Sequence, residues 1–116
     1  MKFVLSSKIF KAVVSEANLN YKGSITIDSD LIEKAGLWVG EKVLVVSNTS
    51  GARLETYVIP GKAGSGVMCM NGAAAHLIKK DEEIIVMGFT LSDKPVNAKI
   101  VFVDKNNKCV KVDTLY

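Results

Sequence analysis

Short strand-like runs separated by turn residues constrain this chain most, because they leave room for almost nothing but a mostly β fold. Val, Ile and aromatic residues concentrate in Lys8 to Ser15, Tyr21 to Ile27, Lys42 to Ser47, Arg53 to Ile59, Val67 to Met70, Glu83 to Thr90, Lys99 to Asp104 and Cys109 to Val112. Asn48-Thr49-Ser50-Gly51 and Asp104-Lys105-Asn106-Asn107 separate neighbouring runs as hairpin loops would. One helix is predicted from Ser29 to Ala35, with Asp28 as N-cap and Gly36 as stop, and a second through Ala73-Ala74-Ala75-His76-Leu77. Each helix lies between two strands, in a faint internal duplication. Two such halves can pack pseudo-symmetrically and close a small barrel, which removes exposed sheet edges.

The chain has 116 residues and is 48% hydrophobic, enough for one domain with a modest core. No apolar run approaches the roughly 18 residues of a membrane span, so the reading is a soluble, cytoplasmic protein without a membrane partner. Cys69 and Cys109 form no CxxC pair and lie in strand-like runs, where buried thiols are expected rather than a disulfide or a metal site. The formal charge of +3 is dispersed instead of forming a basic block, which argues only weakly for a nucleic-acid partner and equally suits a small anionic substrate, so charge alone does not choose between them.

Three local patterns carry chemistry. In Gly23-Ser24, glycine lets the backbone turn so that the serine hydroxyl can attack the preceding carbonyl carbon; the pair is also common in ordinary turns. Arg53 and Tyr57 stand four apart in a strand, so a planar cation suited to a carboxylate shares a face with a phenol able to deliver a proton, while Thr56 points to the other face. Asn71-Gly72-Ala73-Ala74-Ala75-His76 gives a ligand close access to backbone amides at a helix start, although a plain turn into an alanine-rich helix explains the same residues. His76 reads as a hydrogen-bonded structural residue.

Ser7-Lys8-Ile9, Ala17-Asn18-Leu19-Asn20-Tyr21, Gly23-Ser24-Ile25-Thr26-Ile27-Asp28, Gly51-Ala52-Arg53, Thr56-Tyr57, Gly64-Ser65-Gly66 and Asn71-Gly72-Ala73-Ala74-Ala75-His76 occur together in this order. In that combination the chain closely resembles the pyruvoyl-dependent aspartate 1-decarboxylases, over nearly its whole length. The resemblance implies a double-psi β-barrel with short helices, assembled as a homotetramer with active sites between subunits. It also implies a zymogen that cleaves itself between Gly23 and Ser24 into residues 1–23 (β chain) and 24–116 (α chain), Ser24 becoming the pyruvoyl cofactor. L-Aspartate would then condense with that group as a Schiff base and lose its α-carboxylate, giving β-alanine for pantothenate biosynthesis.

Carried onto matching positions, the resemblance makes Thr56 the hydroxyl that assists processing and contacts substrate, and Tyr57 the proton donor. Arg53 and Lys8 become carboxylate binders, Gly72, Ala73 and Ala74 a substrate-contacting backbone, and Asn71 an orienting amide. The chain departs from the family pattern at Phe10, where histidine is frequent, and at Ala63, where arginine is common; Lys108 to Tyr116 is only loosely family-like. A small basic β-barrel that regulates transcription on DNA is the alternative reading, and it leaves Gly23-Ser24, Arg53 and Tyr57 without a role. A hydrolase built on Ser24 and His76 is weaker, since no GxSxG elbow accompanies them. The sequence does not specify whether a helper protein promotes maturation.

Overall fold

Apolar and polar residues alternate in Ser24-Ile25-Thr26-Ile27 and again in Met68-Cys69-Met70-Asn71, so each segment has one face for a core and one for something else. A computed structural model describing residues Met1–Tyr116 places Ile25, Ile27, Met68 and Met70 fully inside. In chain order the elements are β1 (Lys2–Val13), β2 (Glu16–Asn18), β3 (Ser24–Asp28), α1 (Ser29–Ala35), β4 (Lys42–Ser47) and β5 (Arg53–Gly61). They continue with β6 (Met68–Asn71), α2 (Ala74–Leu77), β7 (Glu83–Ser92), β8 (Lys99–Val103) and β9 (Cys109–Thr114). The strands form one sheet in the order β2-β6-β3-β5-β4-β7-β1-β8-β9. A single buried cluster draws on β1, β3, β4, β5, β6, β7 and β8 together with Leu31, Ile32 and Ala35 of α1. A sheet in which all but the two edge strands β2 and β9 bury one face in the same cluster must curl around it, and the result is a mostly β barrel with two short helices, the class expected from the sequence.

The duplication is visible in the pairing. β3-α1-β4 and β6-α2-β7 are the two strand-helix-strand units; β3 pairs antiparallel with β6, and β4 pairs antiparallel with β7. Equivalent strands that pair antiparallel are what a local twofold produces.

Some boundaries move for identifiable reasons. β1 begins at Lys2, six residues before the expected start, because Ser6-Ser7-Lys8 does not break it. A bulge between Leu5 and Ser7 carries the strand on beside β7, with Ser7 buried opposite Gly88. β3 starts only at Ser24; Tyr21, Lys22 and Gly23 lie outside the ladder, whose last pair is Ser24 with Asn71. α2 starts at Ala74, with Ala73 as its cap residue. Cys69 and Cys109 are free thiols, the first buried and the second half-buried.

Candidate active site

Three neighbouring strands build the site. β3 lies between β6 and β5 in the sheet, and the registers Ser24 to Asn71 and Ile25 to Val58 bring Ser24, Asn71, Thr56 and Tyr57 to the same end. Beside them opens a cleft of about 400 Å³, lined by Gly23, Thr56, Tyr57, Asn71, Ala73 and Ala74 among others. That is large enough for a small amino acid and falls in the size range of ligand sites.

Ser24 is wholly buried and does not itself line the cleft, which its neighbour Gly23 and its partner Asn71 do. Its Oγ donates to the Lys22 carbonyl at 3.0 Å and accepts from Asn71 Nδ2 at 2.9 Å. The hydroxyl therefore sits in one defined orientation next to the Gly23-Ser24 peptide bond. Asn71 Nδ2 also donates to Thr26 Oγ1 at 2.8 Å, and Asn71 Oδ1 accepts from the Cys69 thiol at 3.1 Å.

The glycine whose backbone freedom is used is Gly72 and not Gly23. Gly72 has φ 66°, and a Cβ there would stand 2.8 Å from Gly23 Cα and 2.9 Å from Gly23 N. Gly72 therefore packs bare backbone against the Gly23-Ser24 segment. Gly23 keeps out of the left-handed region, a Cβ on it would meet open space, and no peptide bond in the chain is cis.

After Gly72 the backbone supplies donors. The Gly72 N–H bonds to Asn18 O at 2.8 Å, and the Ala75 and His76 N–H groups bond to Gly72 O and Ala73 O. The N–H groups of Ala73 and Ala74 find no acceptor within the chain, and both residues line the cleft. Unpaired amides at a helix start attract anions such as a carboxylate.

On β5 the exposed face carries Arg53, Glu55 and Tyr57, while Leu54, Thr56 and Val58 are more buried, as the alternation predicts. Lys42 stands opposite Tyr57 and pairs with Glu55 at 3.0 Å, leaving Arg53 without an acidic partner on this face. The Tyr57 side chain is 40% exposed and reaches the cleft.

Two expected residues are not brought in. Arg53 is outside the cleft lining, although it shares the exposed face with Tyr57. Lys8 belongs to β1, which β4 and β7 separate from β5, and its ammonium lies 5.4 Å from the centre of the Phe10 ring. His76 is exposed and outside the cleft; only its backbone is engaged, the N–H on Ala73 O and the carbonyl by Lys79 Nζ at 2.8 Å, so the hydrogen-bonded ring expected from the sequence is not found. Sequence reasoning passed over Thr26 and Cys69, whose signal was the polar half of the alternation in β3 and β6.

Fold and site together define a small β-barrel with a buried, oriented serine beside a cleft of free amides, a constellation suited to chemistry on the chain's own Gly23-Ser24 bond. The family profile described as aspartate decarboxylase matches residues 1–110, and the chain belongs to that family. It is 54% identical over 113 residues to an aspartate 1-decarboxylase of Caldicellulosiruptor saccharolyticus, covering 94% of this chain and 88% of the relative. Aspartate 1-decarboxylases of Neisseria meningitidis and Bacillus subtilis are 50% and 49% identical over 109 residues, each match covering 90% of this chain and 86% of the relative.

Proposed function

We propose that this chain is a self-processing decarboxylase that converts L-aspartate to β-alanine and carbon dioxide, for pantothenate biosynthesis in the cytoplasm. The observation that carries the reading is Ser24 Oγ held between Asn71 Nδ2 and the Lys22 carbonyl, beside a cleft whose free amides suit a carboxylate. In maturation, Oγ bonds to the Gly23 carbonyl carbon as the Gly23-Ser24 C–N bond breaks, and the hydroxyl proton passes to the departing nitrogen. Loss of the Ser24 Cα proton and of the Cβ–Oγ bond then frees the Gly23 carboxylate and cuts the chain. Water releases ammonia from the dehydroalanine left behind, and residues 24–116 begin with a pyruvoyl group. The Thr56 hydroxyl assists this rearrangement.

The surroundings suit that group. The keto carbon is the former Ser24 Cα and Oγ leaves with the Gly23 carboxylate, so the donor that Asn71 Nδ2 offers at Oγ stands one carbon away from the keto oxygen, which only accepts hydrogen bonds. Once formed, the pyruvoyl group supplies an electron sink for loss of the α-carboxylate.

The other roles belong to this chain's own side chains. The Ala73 and Ala74 N–H groups hold a substrate carboxylate against the floor of the cleft. Arg53, lacking an acidic partner in the chain, takes the carboxylate that stays. Tyr57 delivers a proton from its Oη to the carbon that loses carbon dioxide. Lys8 reaches a cleft only from a neighbouring copy, which fits a homotetramer with sites between subunits. Phe3, Phe89 and Leu91 lie 76%, 40% and 51% exposed on the adjoining strands β1 and β7, an apolar face that such an assembly would cover.

The test is an intact mass spectrum combined with carbon dioxide release from aspartate. The parent should separate into residues 1–23 and a blocked 24–116 fragment, while Ser24→Ala stays whole and inactive. Parent chains that remain whole after prolonged incubation refute self-processing. Fully processed chains that release no carbon dioxide from aspartate refute the substrate.

A further inference from the structure

The β3–β6 register opposes Ser24 to Asn71 and Thr26 to Cys69, so these four polar side chains share one face of the ladder. At its centre is the Asn71 carboxamide, with Nδ2 on the Ser24 and Thr26 hydroxyls and Oδ1 on the Cys69 thiol. A carboxamide has a donor end and an acceptor end of nearly equal size, and a hydroxyl can satisfy either. Ser24 and Thr26 therefore cannot tell the two ends apart. A thiol can, because its S–H donates while sulfur is a poor acceptor. The Met70 carbonyl is the thiol's other acceptor, at 3.8 Å against 3.1 Å for Asn71 Oδ1.

The protonation state is the one this needs. Burial and the nearby Glu16 charge push the Cys69 thiol up, against the lowering effect of the Asn18 N–H, so the thiol keeps its proton at neutral pH.

The orientation matters for the serine. With Nδ2 donating to one Ser24 lone pair and the hydroxyl hydrogen on the Lys22 carbonyl, the second lone pair is left for the Gly23 carbonyl carbon. A reversed carboxamide would present Oδ1 to Ser24, draw the hydroxyl hydrogen away from Lys22 and remove the donor from Oγ.

We propose that Cys69 and Thr26 are positioning residues for maturation, Cys69 selecting the orientation of the Asn71 carboxamide and Thr26 holding its second N–H. The inference rests on the self-processing reading and adds to it two residues that never touch the scissile bond. Neither takes part in bond making or breaking.

The experiment follows the 24–116 fragment by intact mass in freshly purified, unprocessed parent, Cys69→Ala, Cys69→Val, Cys69→Ser, Thr26→Val and Thr26→Ser. Loss of one oriented hydrogen bond should slow cleavage about tenfold in both Cys69→Ala and Cys69→Val, which lack the donor but differ in volume. Cys69→Ser keeps a partner for the carboxamide but, as a hydroxyl, accepts either end of it, so it should cleave about threefold more slowly than the parent while staying faster than Cys69→Ala, and Thr26→Val should be slower than Thr26→Ser by about threefold. A role in packing alone predicts that cleavage follows side-chain volume, with Cys69→Ser as slow as Cys69→Ala and Cys69→Val set apart from both. Parental rates in Cys69→Ala and Cys69→Val, that volume-ordered pattern, or Cys69→Ser at the parental rate overturn the proposal. A parent that never cleaves is a separate result, which refutes the maturation reading itself.

Discussion

The two strand-helix-strand units meet their helices in opposite ways. At the end of β3, Asp28 turns its carboxylate forward and accepts from the N–H groups of Asp30, Gly64 and Gly66 at 2.9, 3.0 and 2.8 Å. The seven-residue α1 that follows buries Leu31, Ile32 and Ala35 and closes on Gly36 in the left-handed region. At the end of β6, Asn71 turns its side chain back to Ser24 and caps nothing; α2 has four residues, no side-chain cap and only Ala75 buried. In the first unit the N–H groups of Asp30, Gly64 and Gly66 and the Ser29 hydroxyl are used to hold the barrel. In the second, the Ala73 and Ala74 amides stay open to the cleft. One connection thus serves stability and its counterpart keeps donors open to a ligand, because a donor already satisfied within the fold is no longer available to one.

If that division is right, changes around the second unit should damage reaction rates while leaving folding nearly intact, and changes in the first should do the reverse. The largest effect belongs to Tyr57→Phe, which keeps the ring and deletes the proton donor. Turnover of aspartate should fall on the order of a hundredfold to ten-thousandfold while cleavage proceeds normally. A fully processed Tyr57→Phe enzyme with parental β-alanine release would remove Tyr57 from the reaction.

Gly72→Ala comes next. Its Cβ meets the Gly23 backbone at 2.8 Å, where no flexible side chain can yield, and φ 66° strains any L residue. Displacing Gly23 by even part of an ångström should slow appearance of the 24–116 fragment by tens to about a hundredfold. Timed mass spectra check this, and cleavage at the parental rate would break the comparison at its functional end.

Arg53→Lys retains charge and loses the planar fork, so kcat/KM for aspartate should drop about ten- to a hundredfold, with the change mainly in KM. Steady-state kinetics on processed protein decide it. Unchanged efficiency would exclude Arg53 from carboxylate binding.

Asp28→Asn probes the structural end. Burial pushes the Asp28 carboxyl up, but the Gly66, Asp30 and Gly64 N–H donors and the Lys108 charge outweigh it and hold the group below its ordinary value near 3.8. A lowered folded value means that the carboxylate's contribution is complete above the unfolded value and is lost as pH falls through the folded one. Asp28→Asn should therefore cost about 2 kcal/mol of unfolding free energy at pH 7, and the gap to the parent should narrow as the pH drops below 3.8. Denaturant melts across pH measure both, and a gap that widens in acid would contradict the assignment.

The smallest effect is expected for Gly23→Ala. A Cβ there meets nothing within 4 Å, so the unfolding free energy should stay within about 1 kcal/mol of the parent. A large loss of stability would show that Gly23 holds the fold and is more than one side of the scissile bond.

Much of the barrel was legible residue by residue. α1 and both its caps follow from Asp28, Asp30, Lys34 and Gly36, and β4 spans Lys42–Ser47 as read, since helix caps and strand alternation depend on neighbours a few positions apart. The start of β1 was not legible, because Ser6-Ser7-Lys8 looks like a break until β7 lies beside it and a bulge absorbs the mismatch. Among site residues, the alternation that sets Arg53 and Tyr57 on one face was local and readable. The distance of Lys8 from the cleft was not, since it depends on which strands separate β1 from β5.

The sequence by itself determined which side chains each strand can offer to either face, and with that the Gly23-Ser24 pair and the family to which the chain belongs. Only the tertiary structure decided that Asn71 stands opposite Ser24, that Cys69 and Thr26 join them, and that Gly72 presses its backbone on Gly23. The reason is the two-residue period of a strand: alternation specifies a face, but it carries no information about the register against a strand some forty residues away. That register is set when Ile25, Ile27, Met68 and Met70 enter the common core together, and the polar face opposite them gathers the candidate site as a consequence.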